Sequence, residues 1–370
     1  MLGVVASHSI QAQTFTVLHN FKGSPDGAYP YAGLIEDGRG NLYGTTSDGG
    51  SYNYGIVFKV GANGAETRLY TFAGKNDGGT PYAGLIKDKA GNFYGTTYGS
   101  AGLGPGTVFK LSKSGTETVL YIFSGSPDGG FPLAGLIQDK AANLFGTTEG
   151  GGTSGVGTVF EVSATGTETV LYSFTGGADG GYPSGGVIMD AAGDLYGTTQ
   201  YGGSHENEGV VYKLTQTGIL TVLHSFVGGK TDGCYPFGTP VMDRNGNLYG
   251  TALGCGSSQN GIVWKVSQDG TESVLHNFAG GASDGKYPAA GLIMDANGSL
   301  YGDTQQGGAS GDGTVYKLNK KGALTLLHSF SKPHGKDPQA SLIRDAKGNL
   351  YGTTVEGGRG GYGTVWKLTP

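Results

Sequence analysis

The chain has 370 residues, of which 75 are Gly, and carries 24 Lys and Arg against 29 Asp and Glu, for a formal net charge of −5. No basic stripe runs along it, which argues against nucleic acid as a partner, because neutralising phosphates needs clustered cations. No run of eighteen apolar residues occurs, so no membrane-crossing helix is expected, and the Gly does not recur every third position as in collagen.

Residues 1–13, from Met1 to Gln13, share no pattern with the rest of the chain. They are mildly apolar and end in small and polar residues, like the tail of a secretory signal peptide without its basic start. From residue 14 onward one motif of about fifty residues repeats seven times, a period that means stacked or radial repeats. Its anchor is Asn-Leu-Tyr-Gly-Thr-Thr, with the aromatic at Tyr43, Tyr94, Phe145, Tyr196, Tyr249, Tyr301 and Tyr351.

Each unit holds four short segments rich in Val, Leu, Ile, Tyr, Phe and Thr, bounded by Gly, Asp and Ser. In the third unit they are 134–137, 143–148, 157–162 and 169–174. This is a strand signature, and no window shows a helical stripe. Four strands per unit make one propeller blade. The fourth-segment pattern occurs first at Phe15 to Phe21, ahead of every other element, and the last unit stops before its own fourth segment. The expected fold is therefore all-β: a seven-bladed β-propeller with four antiparallel strands per blade, over residues 14–370. The N-terminal strand closes the ring within the C-terminal blade. A β-solenoid is the structural alternative, but it leaves the one-strand offset unexplained.

Turns support the same architecture. Asp37-Gly-Arg-Gly-Asn41 recurs as 88–92 and 345–349. It suits a type I turn that ends in a left-handed residue. The third unit has Ala142 where the other six have Gly, which should strain that turn by about 1 kcal/mol. Gly44 and its counterparts are expected to make room for an aromatic of a neighbouring blade.

Repeating residues are read as structural. Six Asp-Gly pairs (Asp26, Asp77, Asp128, Asp179, Asp232 and Asp284) look like turn chemistry. Trp264 and Trp366 take the place of Phe58 and read as core, and the third-strand Lys (Lys59, Lys110, Lys213, Lys265, Lys317 and Lys367) recurs too regularly for catalysis. Cys234 and Cys255 fall in loops on one face of the fifth unit and are a disulfide candidate. Zinc-like ligand spacing is missing, so neither a metal nor any other cofactor is expected.

Residues that break the repeat are the functional candidates. His205, Glu206 and Glu208 replace a Gly-rich loop beside Tyr201, Asp303 stands where the other units have Thr, Glu149 and Glu356 open equivalent loops, and Arg359 lies near. Tyr201, His205, Glu208, Asp303, Glu149 and Arg359 are the candidate ligand contacts. Carboxylates and a His around a funnel suit acid–base chemistry on a polysaccharide, which makes His205, Glu206, Asp303 and Glu356 the candidate catalytic set. No nucleophile motif is present.

The string Ala-Gly-Leu-Ile-x-Asp-x-x-Gly-Asn-Leu-Tyr-Gly-Thr-Thr-x-x-Gly-Gly, then Gly-Thr-Val-Phe-Lys-Leu, resembles the GloVer tandem-repeat family. Residues 83–111 and 340–368 carry it most visibly, and the likeness extends over 14–370. The fifth unit departs at 238–241 and Ala252, and the second loses its Gly-Gly. The resemblance implies an exported or surface-associated bacterial repeat protein and supplies no catalytic residues. The expectation is a secreted or cell-surface monomer acting as a binding module, with a glycan as partner. A polysaccharide lyase or glycosidase and a purely structural surface protein are the alternatives.

Overall fold

A computed structural model describes residues 13–99, 104–205 and 207–370. The leader expected over 1–13 lies almost wholly outside the described residues. The described residues form seven four-stranded antiparallel sheets, two small two-stranded ribbons and no helix. Blade 1 is Ile35–Glu36, Leu42–Thr46, Ile56–Val60 and Glu66–Thr71. The same order repeats to blade 7, which is Ile343–Arg344, Leu350–Thr354, Thr364–Thr369 and, as its outer strand, Thr14–Asn20. Phe15 pairs with Leu368 and Val17 with Trp366, so the ring closes as the sequence offset requires.

The innermost strand is shorter than expected. In blade 3 it is Ile137–Gln138, not 134–137. Ala134 and Gly135 instead line the central channel, and the Ala134 carbonyl accepts a hydrogen bond from Thr96 of blade 2. Blade 5 is the exception, with long strands Gly233–Met242 and Leu248–Cys255 joined by a Cys234–Cys255 disulfide whose Cα atoms are 5.3 Å apart.

Every blade has a β-bulge between its third and fourth strands, such as Val57/Phe58 in blade 1 and Val17/His19 in blade 7. Bulges raise the local twist, which each blade needs to fan from the axis to the rim.

Gly44 corrects an expectation. A Cβ there would lie 2.7 Å from Phe58 Cζ. Phe58 is its cross-strand partner in the same blade, not a residue of the next one. Glycine lets the ring lie across its own sheet and reach the seam. At that seam it meets Phe21 of blade 7 edge-on, with ring centroids 5.1 Å apart. Equivalent pairs fill the other seams, from Phe72–Phe109 at 5.2 Å to Phe330–Trp366 at 5.5 Å. Such pairs add about 0.5–1.5 kcal/mol beyond area burial. The core is thus divided among seven seams, each shared by two blades.

Candidate functional site

The turns at one end of the wheel are structural. Asp37 accepts from the Arg39 and Asn41 backbone amides, the Asn41 side chain and the Tyr43 hydroxyl. The six Asp-Gly carboxylates also act locally. Asp77, for example, accepts from the Tyr70 hydroxyl at 3.0 Å and the Ala73 and Lys75 amides.

A channel of about 250 Å3 runs between the inner segments of the seven blades. Small residues such as Ala32, Gly33, Ala83, Gly84 and Ala290 form its wall, and Tyr31, Tyr82, Leu133, Phe237 and Gln339 stand at its rim. Small residues are needed in the wall because seven backbones converge there.

Backbone geometry sets the rim. In every blade the residue before the rim proline has a left-handed φ: Tyr29, Thr80, Phe131, Tyr182, Tyr235, Tyr287 and Asp337 all lie between 55° and 62°. That conformation costs roughly 1 kcal/mol or more for a residue with a Cβ. It is held because each amide donates to a loop of the preceding blade, as Tyr29 N does to the Tyr362 carbonyl at 3.0 Å and Thr80 N to Tyr54 at 2.9 Å.

Aromatic rings continue around the mouth. Tyr31 meets Tyr82 at 4.9 Å, Tyr82 meets Tyr98 at 5.3 Å, and Tyr98 meets Phe131 at 5.2 Å. Further round, Tyr201 sits edge-on to Tyr182 at 5.6 Å and to Tyr235 at 5.5 Å. Polar groups stand among them. The Tyr98 hydroxyl donates to Glu149 Oε2 at 3.1 Å, and burial followed by this carboxylate pushes it up to about 12. Burial, then Tyr82, Asp337, Asp48 and Glu356, pushes Tyr31 to about 12 as well. Burial raises Glu149 against the opposing Tyr98 hydrogen bond.

The breaking residues are spread over several blades. His205 is exposed on a blade 4 loop, with its Nδ1 3.0 Å from Ser204 Oγ. Glu206 lies outside the described residues. Glu208 is beside Tyr235, whose hydroxyl it pushes up ahead of burial. Its carboxylate also approaches Cys234 and Cys255, but bridged cysteines are poor metal ligands. Glu356 pairs with Lys336 in blade 7. Arg359 is exposed, and its amide donates to Asn20 Oδ1 at 2.8 Å across the closing strand pair. His205 thus sits on blade 4 and Glu356 on blade 7.

Asp303 requires a correction. It was expected at the loop-face funnel, but it is 1% exposed within the second strand of blade 6. Six Thr at the equivalent position donate to a carbonyl of the next blade, as Thr45 does to Ala83 at 2.9 Å and Thr353 to Ala32 at 3.2 Å. Strand alternation aims this position into the seam, so Asp303 faces blade 7. Neither carboxylate oxygen has a hydrogen-bond partner, and burial, then Asp337, raises its pKa well above the ordinary value.

Sequence reading missed the rim belt and four crevices between blades at the turn end, which range from about 320 to 760 Å3. Tyr31 and Tyr82 share one repeat position and Tyr98 another, but only the fold shows that the Tyr31 and Tyr82 rings meet across a seam and that Tyr98 stands beside Tyr82 within blade 2. The signal available was that Tyr-Ala-Gly opens two units while the others begin Leu, Ser, Phe, Ala and Gln.

Solved structures with the same architecture share little sequence. A streptogramin B lyase is 14% identical, with a TM-score of 0.64, over 96% of this chain and 97% of that one. The extracellular domain of a one-component system from B. thetaiotaomicron is 15% identical, with a TM-score of 0.56, over 97% of this chain and 42% of that one. The extracellular domain of a hybrid two-component system from the same organism is 11% identical, with a TM-score of 0.57, over 96% and 41%. At such identities the likeness concerns the fold alone. No curated protein matches. A family model, the Gloeobacter/Verrucomicrobia repeat, matches residues 2–208 and 185–370. Together these two matches run the length of the repeats, and the chain belongs to the Gloeobacter/Verrucomicrobia repeat family.

Proposed function

We propose that the protein is an exported binding module that takes a carbohydrate at the aromatic rim of its channel. The observation that carries this reading is the run of ring contacts Tyr31–Tyr82–Tyr98–Phe131, the first two edge-on and the last tilted, with Glu149 within it. Sugar rings present apolar C–H faces and hydroxyl edges. Rigid tyrosines supply the first kind of contact at small entropic cost, and Glu149 and Gln339 supply acceptors for the second. Long loops on a rigid ring are the usual place for such a site.

Export is supported by the Cys234–Cys255 bridge, since disulfides persist in oxidising compartments. The extracellular domains that share this fold point the same way.

A glycan array with a reducing-end assay on each positive glycan tests the reading. Wild-type protein should bind a defined set of neutral sugars without releasing ends. Tyr82→Ala should weaken binding by about five- to thirtyfold, because stacking on one ring contributes about 1–2 kcal/mol. An empty array, or unchanged affinity in Tyr82→Ala, would leave the structural-protein reading in its place. Release of reducing ends would establish the enzyme instead.

A further inference from the structure

The turn end of the wheel carries an uneven charge. The crevice between blades 1 and 2 encloses about 710 Å3 and is lined by Arg39, Lys59, Lys87, Lys89 and Lys113, with Asp37 and Asp88 as its carboxylates. Both carboxylates are already engaged. Asp37 holds its own turn, and Asp88 accepts from Asn92 and from the Tyr94 hydroxyl. Among the described residues, none of the five cations forms a salt bridge.

The size of this excess varies between crevices, and the one between blades 5 and 6 has Arg244, Lys265 and Lys320 against Asp243 and Asp295. The equivalent crevice between blades 3 and 4 has Asp139 and Glu161 in its wall and no Lys or Arg. Arg39 also lines the crevice between blades 7 and 1, where it, Lys347 and Lys367 are balanced by Glu36, Asp37 and Asp345. The crevice between blades 1 and 2, with five cations against two carboxylates, is thus a cationic track on a chain whose net charge is −5. A track of that extent suits a chain-like anion better than a single small ion.

We propose that this track binds an anionic polysaccharide, with carboxylate or sulfate groups of successive sugars seated on Arg39, Lys87, Lys89 and Lys113. Single-stranded nucleic acid fits less well, because it is held by bases stacking on open rings. The rings beneath this crevice are closed off. Tyr43 and Phe93 are 8% and 5% exposed, and the Lys87 ammonium lies over them at 5.1 and 5.4 Å. The net negative charge also opposes indiscriminate polyanion binding. This site is at the opposite end from the channel rim, so either can be present without the other.

The test is titration of the full chain with polygalacturonate, dextran sulfate, neutral dextran and a single-stranded DNA, each across a salt series. At least one anionic polysaccharide should bind, with an affinity that falls linearly in log–log form as salt rises. The exposed-site variant K87Q/K89Q/K113Q should lose tenfold or more, with a shallower salt slope by about two. Charge-matched K75Q/K230Q/K286Q should not differ from wild type. Single Arg39→Gln, tested in parallel, should show a smaller loss and keeps the question answerable if the triple variant misfolds. Tyr82→Ala should bind the polyanion normally, which separates this site from the rim. No binding of either anionic polymer at about 50 mM salt, equal loss in the control triple, or DNA binding as tight as the polysaccharide would each overturn the proposal.

Discussion

Two positions show how a single side chain can oppose its repeat. Ala142 has φ 69° where the other units place Gly, so the left-handed turn carries strain that glycine removes. Ala142→Gly should stabilise the fold, by up to about 1 kcal/mol after the extra freedom of glycine in the unfolded chain is subtracted, and so raise the melting temperature. Asp303 is the larger case. It buries a carboxyl without a partner at a site where threonine hydroxyls bridge blades. Asp303→Thr should restore a hydrogen bond to the Ala340 carbonyl and stabilise by about 1–3 kcal/mol. Chemical denaturation reads both, and a destabilised Asp303→Thr would show that the carboxyl makes a contribution that the static contacts omit.

Among the elements, blade 5 alone has its two inner strands extended and cross-linked. The Cys234–Cys255 bridge encloses a separation of 21 residues, for which chain entropy gives about 3 kcal/mol. Reduction should therefore lower the melting temperature without changing the far-ultraviolet spectrum of the folded protein; an identical melt with and without reductant would show that neighbouring blades already hold these strands. Legibility also differed by element. Second, third and fourth strands were readable because each is a run of alternating β-formers. The inner strand was overread, since Ala-Gly-Leu-Ile looks extended in sequence whether its amides pair in a ladder or line a channel.

Across the whole molecule, repetition turns one titration into several. Burial, then the nearby Asp77, pushes half-buried Glu117 up to about 7, and Glu168 beside Asp128 and Glu272 beside Asp232 behave alike. Their ordinary value is 4.5. The folded state therefore keeps protons that the unfolded chain has released, and this stabilisation is lost as pH rises from 4.5 through about 7. The turn carboxylates Asp88, Asp190, Asp243, Asp295 and Asp345 are buried enough to be raised, but hydrogen bonds outweigh that and lower them below 3.8. Their contribution is present above 3.8 and fades as pH falls. Stability should peak near pH 4–5 and decline by pH 8. A triple Glu117→Gln, Glu168→Gln, Glu272→Gln variant should flatten the upper decline; if thermal melts of the variant keep the wild-type slope, these seams are not its source.

Sequence alone determined the blade count, the four-strand unit, the closing strand and the family. All of these are properties of period and local chemistry, which a chain carries in its order of residues. Tertiary structure alone decided which side chains meet across seams: that Phe58 crosses Gly44 within its own blade, that Asp303 is sealed between blades 6 and 7, and that Arg39 joins two crevices. Those contacts join residues from successive units. They depend on how far each blade is turned relative to the last, and that angle is written in the packing of seven shared cores, not in any one repeat.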